Sequence, residues 1–226
     1  MQQAFAPGST AELRCELSMR LRSLQNTRGS TDSVTIPIGI CLVLASEHGG
    51  NTVASELIQR FHLLNLESGD AIDFYYLGWR VETDGKGDQH LQFSLPDYVA
   101  AKQLLQSTGV RGFSGNADLI LVDASVAPDK PVELKLESAI QIDLTRLIAA
   151  EGAVLTLGSF FDMLMESARN SPPTSTTVHS LSDRLGMEMG KTAILNVVWK
   201  KIGGLIGAER LSQLATRGVG RRLVLD

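Results

Sequence analysis

Leucines recur at helical spacing near the start of the chain and predict an amphipathic helix. The four leucines lie three or four residues apart, at Leu13, Leu17, Leu21 and Leu24. Ser9 and Glu12 have the spacing of a capping box, in which each side chain bonds to the other's backbone amide, so we expect the helix to begin there. The apolar stripe must be covered either by the core of this protein or by another protein, and the sequence leaves both open.

Two continuous apolar runs further along predict strands that are buried on both faces. Residues 36–44 form the first run and residues 118–123 the second, each bounded by turn residues. Between them the pattern predicts a helix at 53–64 and a short strand at 71–77. Because strands and helices alternate, we expect βαβ units in a mostly parallel sheet of about five strands.

The segments around these runs predict further elements. Residues 81–90 are rich in Asp, Gly and Lys and indicate an exposed hairpin or loop, and Pro96 opens a helix that runs to about 107. The alternation at 132–136 favours a half-exposed strand at the sheet edge or in a hairpin. Further along, we expect a helix at 140–148, a strand at 154–157, and a helix at 160–169 with Ser159 as its cap.

The clearest break in the chain lies at residues 171–177, Ser-Pro-Pro-Thr-Ser-Thr-Thr. Beyond it, 193–202 and 208–216 predict two helices, and 221–225 a short strand or tail. The chain therefore divides into an N-terminal helix and linker (1–33), an α/β core domain (34–170), and a linker with a helical appendage (171–226). The predicted fold is a three-layer α/β domain with an N-terminal helical arm and a C-terminal helical appendage.

Composition narrows the classes of function. The formal net charge is −4 and the sequence pI about 5.6, whereas nucleic-acid binding needs a concentrated basic surface, so we do not expect it. The longest apolar run is far shorter than the roughly 18 residues of a membrane span, and the first residues do not resemble a secretory signal. We therefore expect a cytoplasmic protein in which Cys15 and Cys41 are free thiols.

The segment between the first predicted strand and its helix carries the strongest candidate chemistry. Its residues are Ser46, Glu47, His48, Gly49, Gly50, Asn51 and Thr52. Small residues leave backbone amides accessible, hydroxyls add hydrogen-bonding groups, and the dipole of the following helix favours an anion. The predicted phosphate-binding residues are Ser46, Gly49, Gly50, Asn51 and Thr52. In an open α/β sheet, ligands collect at the carboxyl ends of the strands, so we expect Asp123 to face the same crevice.

Gly50, Asn51 and Thr52, placed after a strand and before a helix with Ala54 and Leu57, resemble the phosphate-binding loop of the flavodoxin-like family. The resemblance covers about residues 40–59. In that family a Thr-Gly-Asn-Thr loop wraps the phosphate of flavin mononucleotide (FMN). The resemblance therefore implies FMN as a cofactor and an oxidoreductase as the activity, with a nucleotide as the alternative ligand.

Three other patterns point to ordinary structure. Gly186 and Gly190 are separated by three residues, where a nucleotide-binding P-loop needs four, so an exposed helix start at Lys191 is favoured. The four histidines lack the spacing of metal ligands, and we expect no metal site. The aromatic residues within 73–79 line a pocket, a partner surface or the edge of a core, and the sequence leaves these readings open.

Two classes of function follow. The first is a binding or regulatory subunit of a larger assembly, which senses a phosphate-bearing or nucleotide ligand and contacts a protein partner or a second copy through its helical ends. The second is an enzyme, either a flavodoxin-like oxidoreductase or a nucleotide-directed hydrolase. In the enzyme, Glu47 or His48 would be the general acid or base and Asp123 the orienting carboxylate. A third reading, a component of a prokaryotic defence or stress system, rests only on the compact intracellular build.

Overall fold

The computed structural model of the chain has a seven-stranded sheet with helices on both faces and a two-stranded hairpin beside it. The helices are α1 (Thr10–Arg28), α2 (Thr52–Gln59), α3 (Leu95–Ser107), α4 (Leu144–Glu151) and α5 (Leu157–Arg169). The strands are β1 (Val34–Val43), β2 (Asp73–Leu77), β3 (Trp79–Thr83), β4 (Gln89–Phe93), β5 (Ala117–Val126), β6 (Val132–Leu134), β7 (Ile140–Asp143), β8 (Ala215–Arg217) and β9 (Leu223–Leu225). The structure describes residues 10–28, 34–44, 52–60, 63–64, 67, 72–83, 85, 89–127, 130–137, 139–151, 156–169, 215–217 and 220–225.

The two long central strands, β1 and β5, are apolar throughout because both faces of the sheet are covered. Successive side chains of a strand point to opposite faces, so alternate residues enter different cores. Ile38 and Ile40 of β1 lie in one core, and Cys41 and Val43 in the other. At Gly39, a side chain would point into the second core. A β-carbon there would lie 2.5 Å from a carbon of the Phe74 ring. The absence of a side chain there lets this ring lie on β1.

Each face of the sheet carries its own helices. Helices α1 and α3 cover one face, and α2, α4 and α5 cover the other. The leucine stripe of α1 is buried against the sheet at Leu13, Leu17 and Leu21, so the core is its partner. On the opposite face Phe161 of α5 meets Phe74 of β2 edge to face, with ring centroids 5.3 Å apart. The predicted three-layer α/β class is confirmed.

Strand directions correct the expectation of a mostly parallel sheet. β1 and β2 are parallel, as a βαβ unit requires, but β5 is antiparallel to β1 along all ten residues of both strands. Residues 109–116 bring the chain to the edge at which β1 ends, where the amide of Leu44 donates to the carbonyl of Asn116 at 2.9 Å. β5 therefore begins at that edge and runs back. The remaining described pairings are antiparallel, so the sheet is mixed.

Beyond β5 the sheet continues as a ribbon of two interrupted strands. Leu134 pairs with Leu223 and Ile140 with Arg217, so six residues separate the two pairs on both strands and the register is unbroken. On β5 the partners of Leu134 and Ile140 are only three residues apart. Between these pairs, the chain from β6 to β7 is therefore three residues longer than the facing stretch of β5 and equal in length to the chain from β8 to β9.

The structure confirms several of the local predictions and corrects others. The hairpin at 81–90, the helix from Pro96 and the terminal strand at 221–225 are present as β3–β4, α3 and β9. The expected helix at 140–148 begins only at Leu144, because the four residues before it pair with β5. The strand expected at 132–136, at the sheet edge or in a hairpin, is β6, which pairs antiparallel with the preceding strand β5 as in a hairpin. It does not lie at the sheet edge, because β9 pairs with its other side.

The end of the chain differs from the predicted helical appendage in the part that can be compared. Residues 215–217, the last part of an expected helix, form strand β8, because they pair with β7. Residues 170–214, which include the predicted break and the helix at 193–202, lie outside the described residues. In the expected strand at 154–157, Leu157 instead begins α5, and the hydroxyl of Thr156 accepts from the amide of Ser159 at 3.1 Å as the helix cap.

Candidate functional site

The predicted phosphate loop has the expected neighbours in the fold. β1 ends at Val43 and α2 begins at Thr52, and β2 runs parallel to β1 with its own carboxyl end at the same edge. Six of the candidate residues lie outside the described part of the chain, namely Ser46, Glu47, His48, Gly49, Gly50 and Asn51. Thr52 is the first residue of α2. The strand before the predicted loop and the helix after it, which a phosphate loop requires, are therefore present.

Asp123 does not share this edge of the sheet. It is paired with Pro37, close to the beginning of β1, and is 3 % exposed. Pro37 lies seven residues before Leu44, so at roughly 3.3 Å per residue Asp123 is about 23 Å along the strand from the point at which the predicted loop begins. The expectation that Asp123 faces the loop is therefore wrong. It assumed two parallel strands, whose carboxyl ends would meet, whereas β5 runs in the opposite direction.

Two hydrogen bonds close the end of β1 next to the loop. The indole nitrogen of Trp79 donates to the carbonyl of Val43 at 2.8 Å, and the amide of Leu44 donates to Asn116. Trp79 belongs to the aromatic segment 73–79, and it is buried against the core that α2, α4 and α5 cover. The aromatic segment is thus core, and its last member also fixes the backbone from which the loop leaves.

Tyr98 lies at the same edge, on the first turns of α3. Its backbone and β-carbon pack against Gly78, the residue directly after β2. Its ring lies 5.8 Å from that of Phe93. The Tyr98 hydroxyl is buried and has no hydrogen-bond partner among the described residues. Burial raises the pKa of Tyr98, and the nearby negative charge of Asp118 raises it further, so the hydroxyl keeps its proton and can donate.

Asp118, on the second residue of β5, is the buried carboxyl group of this edge. It accepts hydrogen bonds from the amide of Ser114 at 2.9 Å and from the Ser114 hydroxyl at 2.9 Å. Burial raises the pKa of Asp118 above its usual range, and the charge of Asp143 on the neighbouring strand adds to this, while the hydrogen bonds from Ser114 oppose it. Asp143 itself caps α4 by accepting from the amide of Arg146 at 2.9 Å.

The sequence reasoning missed Tyr98 and Asp118. Tyr98 looks like an ordinary residue of a helix start, and Asp118 like the polar end of an apolar run. Only Asp118 gave a signal in the sequence, because a carboxyl group next to a fully buried run needs hydrogen-bond partners. At this edge the start of α2 lies on one face of the sheet, and the Tyr98 hydroxyl and the Asp118 carboxyl group belong to the face that α1 and α3 cover.

Comparison of the chain with models of protein families, with curated proteins and with solved structures gives no match. Across the described residues, no group of three or more His, Cys, Asp or Glu side chains is placed to hold a metal ion. None of the helices in the described ranges is both long and apolar enough to cross a membrane.

Proposed function

We propose that the protein is a binding or regulatory subunit that senses a small phosphate-bearing ligand at the edge where β1 and β2 end. The observation that carries this proposal is the succession of β1, α2 and the parallel strand β2, with the glycine-containing segment 45–51 between β1 and α2 in the sequence. An anion at this position would meet the positive end of the α2 dipole. The loop glycines would let the backbone approach the phosphate closely.

Tyr98 supports a ligand that extends beyond its phosphate. Its hydroxyl is a buried donor at the same edge and has no partner in the described part of the chain. A buried polar group usually finds a partner, and a ligand hydroxyl or carbonyl would supply one. Asp118, whose charge acts on Tyr98, is held by the amide and the hydroxyl of Ser114 in the turn before β5. Nucleotides and FMN are ligands that combine a phosphate with a polar ring.

Titration calorimetry of the full chain with inorganic pyrophosphate, ADP and FMN tests the proposal. We expect at least one of the three to bind more tightly than about 1 mM, which corresponds to about −4 kcal/mol. The Gly50→Val variant should weaken that binding at least tenfold, because the added side chain blocks the backbone amides. Tyr98→Phe should weaken the binding of ADP or FMN, but not that of pyrophosphate, which has no ring.

Ser55→Ala is the matched control, because Ser55 lies about one turn after Thr52, the first residue of α2, and is exposed. Its affinities should equal those of the unmodified protein. Urea unfolding of each variant separates loss of binding from loss of fold. The proposal fails if none of the three compounds binds, or if Gly50→Val, shown to be folded, binds as well as Ser55→Ala.

The same samples distinguish the enzyme alternative. The pairing of Asp123 with Pro37, about 23 Å along β1 from Leu44, argues against a hydrolase in which Asp123 orients His48. Steady release of inorganic phosphate from ADP, lost in His48→Ala, would favour a hydrolase that draws on other groups. The assembly partner would have to contact a surface other than the leucine stripe of α1, which the sheet covers.

A further inference from the structure

The junction between α1 and β2 holds a compact group of ionisable side chains that the proposed ligand site does not use. Arg20 of α1 forms an ion pair with Asp73 of β2, with 3.0 Å between Nε and Oδ2. Glu16 lies one turn before Arg20 on the same helix. Tyr75, two residues after Asp73, is fully buried and close enough for the charges of Glu16, Arg20 and Asp73 to act on it.

Glu16 is the member of this group whose charge is least compensated. The side chain is half-buried, and its Oε2 atom is buried without a hydrogen-bond partner in the part of the chain that the structure describes. Its nearest like charge is Glu12, one turn earlier. The junction thus contains three carboxyl groups, those of Glu12, Glu16 and Asp73. Helix α1 contributes the Arg20 guanidinium to it, and Arg20 forms its ion pair with Asp73.

The other elements near the junction add one more cation and one more carboxylate. Arg80 of β3 lies near enough to Glu12 for their charges to interact, but it is bonded to Asp97 of α3 at 2.7 Å. Tyr75 keeps its proton, because burial and then the charge of Asp73 raise its pKa well above the usual range. A proton on Glu16 would reduce the negative charge of the junction and remove the charge from its buried oxygen.

We propose that Glu16 makes the docking of α1 on the sheet sensitive to pH, so that α1 is held most firmly while Glu16 is protonated and loosens when Glu16 ionises. The geometry supports this because Glu16 flanks the leucine stripe that attaches α1 to the sheet. Ionisation leaves a charged oxygen in a buried position, and a small displacement of the helix would return that oxygen to water.

The direction of the effect follows from the pKa of Glu16. Burial raises it from the ordinary 4.5 to about 7, and the charge of Glu12 adds to the rise. The docked helix thus holds its proton more tightly than the released helix does. The stabilisation is fully present below pH 4.5 and is lost as the pH rises through about 7.

Hydrogen–deuterium exchange of the full chain tests this inference. Protection of the α1 amides, corrected for the intrinsic pH dependence of exchange, should fall about tenfold between about pH 5.5 and pH 8.5. The expected fall is smaller than that for a fully buried group, because Glu16 is only half-buried. In Glu16→Gln the protection should stay high across the range. In Glu12→Gln the fall should persist but begin at lower pH, since the neighbouring charge is gone. Glu166→Gln, at an exposed position on α5, should behave as the unmodified protein.

A carbon-detected NMR titration of the Glu16 carboxyl group gives a second measurement that does not depend on a variant. The inference requires this group to titrate near 7. It is overturned if Glu16 titrates near 4.5, if α1 protection does not change with pH, or if Glu16→Gln shows the same fall as the unmodified protein. A fall of equal size in α1, α3 and α5 would also overturn it, because the whole fold and not the docking of α1 would then be responding.

Discussion

Gly78 is the residue at which the backbone and the candidate site depend most closely on each other. Its φ is +85°, a conformation that residues with a side chain rarely adopt. A β-carbon there would lie 2.6 Å from the β-carbon of Tyr98 and 2.7 Å from its α-carbon. The turn after β2 can therefore form, and Tyr98 can reach the sheet edge, only when residue 78 has no side chain.

Alanine substitutions at three glycines separate these two requirements. Gly78→Ala should lower the free energy of unfolding by more than about 3 kcal/mol, because backbone strain and a steric clash act together. Gly112→Ala should cost about 1 kcal/mol, because Gly112 has a φ of +75° but open space around it. Gly85→Ala, which meets neither obstacle, should stay within about 0.5 kcal/mol of the unmodified protein. Urea unfolding measures all three, and equal losses at Gly78 and Gly112 would show that the contact with Tyr98 does not matter.

At the scale of elements, the ribbon beyond β5 combines buried apolar contacts with exposed ion pairs. Leu134 of β6 and Leu225 of β9 are buried in the core under α1 and α3. Arg222 reaches Glu133 at 3.4 Å and Glu137 at 3.2 Å, but about half of its side chain is exposed. Gly220 and Arg221 also hydrogen-bond to Leu136 and to Thr108 after α3. The apolar contacts should supply most of the stability, because exposed ion pairs are weak.

Two substitutions in the ribbon check this ranking. Leu134→Ala should reduce the free energy of unfolding by about 2–5 kcal/mol, because it leaves a cavity in a buried position. Arg222→Ala should cost less than about 1 kcal/mol, and that cost should shrink further in high salt. Chemical unfolding at low and high ionic strength gives both values. A loss at Arg222 as large as that at Leu134 would instead mean that the ion pairs hold the ribbon together.

The sequence predicted the elements that depend on local pattern and missed what depends on pairing. The helix of α1, the buried β1 and β5 runs and the βαβ unit around the phosphate loop all follow from periodicity and turn residues. The four residues before Leu144 also fit a helical period, and only their pairing with β5 makes them a strand. Asp118 and Asp123 lie at the two ends of the same apolar run. Deciding which of them lies at the edge where β1 ends required the direction of β5, which no local pattern contains.

At the scale of the whole molecule, the sheet is completed by residues far apart in the chain. β9 covers β6, and β8 covers β7, after about seventy or more intervening residues. A chain that ends at residue 169 would therefore keep every described helix but leave both β6 and β7 as open edges. Open edges of this kind invite pairing with other chains.

Truncation measures how much the last strands contribute. A chain that lacks residues 215–226 should lose more than about 3 kcal/mol of stability, or should aggregate, because Leu225 is removed from the core and two strand edges are opened. Val224→Ala is the control, because Val224 is an exposed residue of the same strand and should change little. Urea unfolding and size-exclusion chromatography report the two outcomes. A truncated chain that is monomeric and as stable as the control would show that β8 and β9 are dispensable.

The late position of β8 and β9 also sets an order of events during synthesis. The β1–α2–β2 unit, α3 and β5 leave the ribosome early and can begin to assemble the two cores. The outer edge of β6 and β7 must then wait, with its amides and carbonyls unpaired, until residues 215–225 have been made. The nascent chain therefore passes through a stage in which the proposed ligand site is complete in sequence while the opposite side of the sheet is open to misassembly.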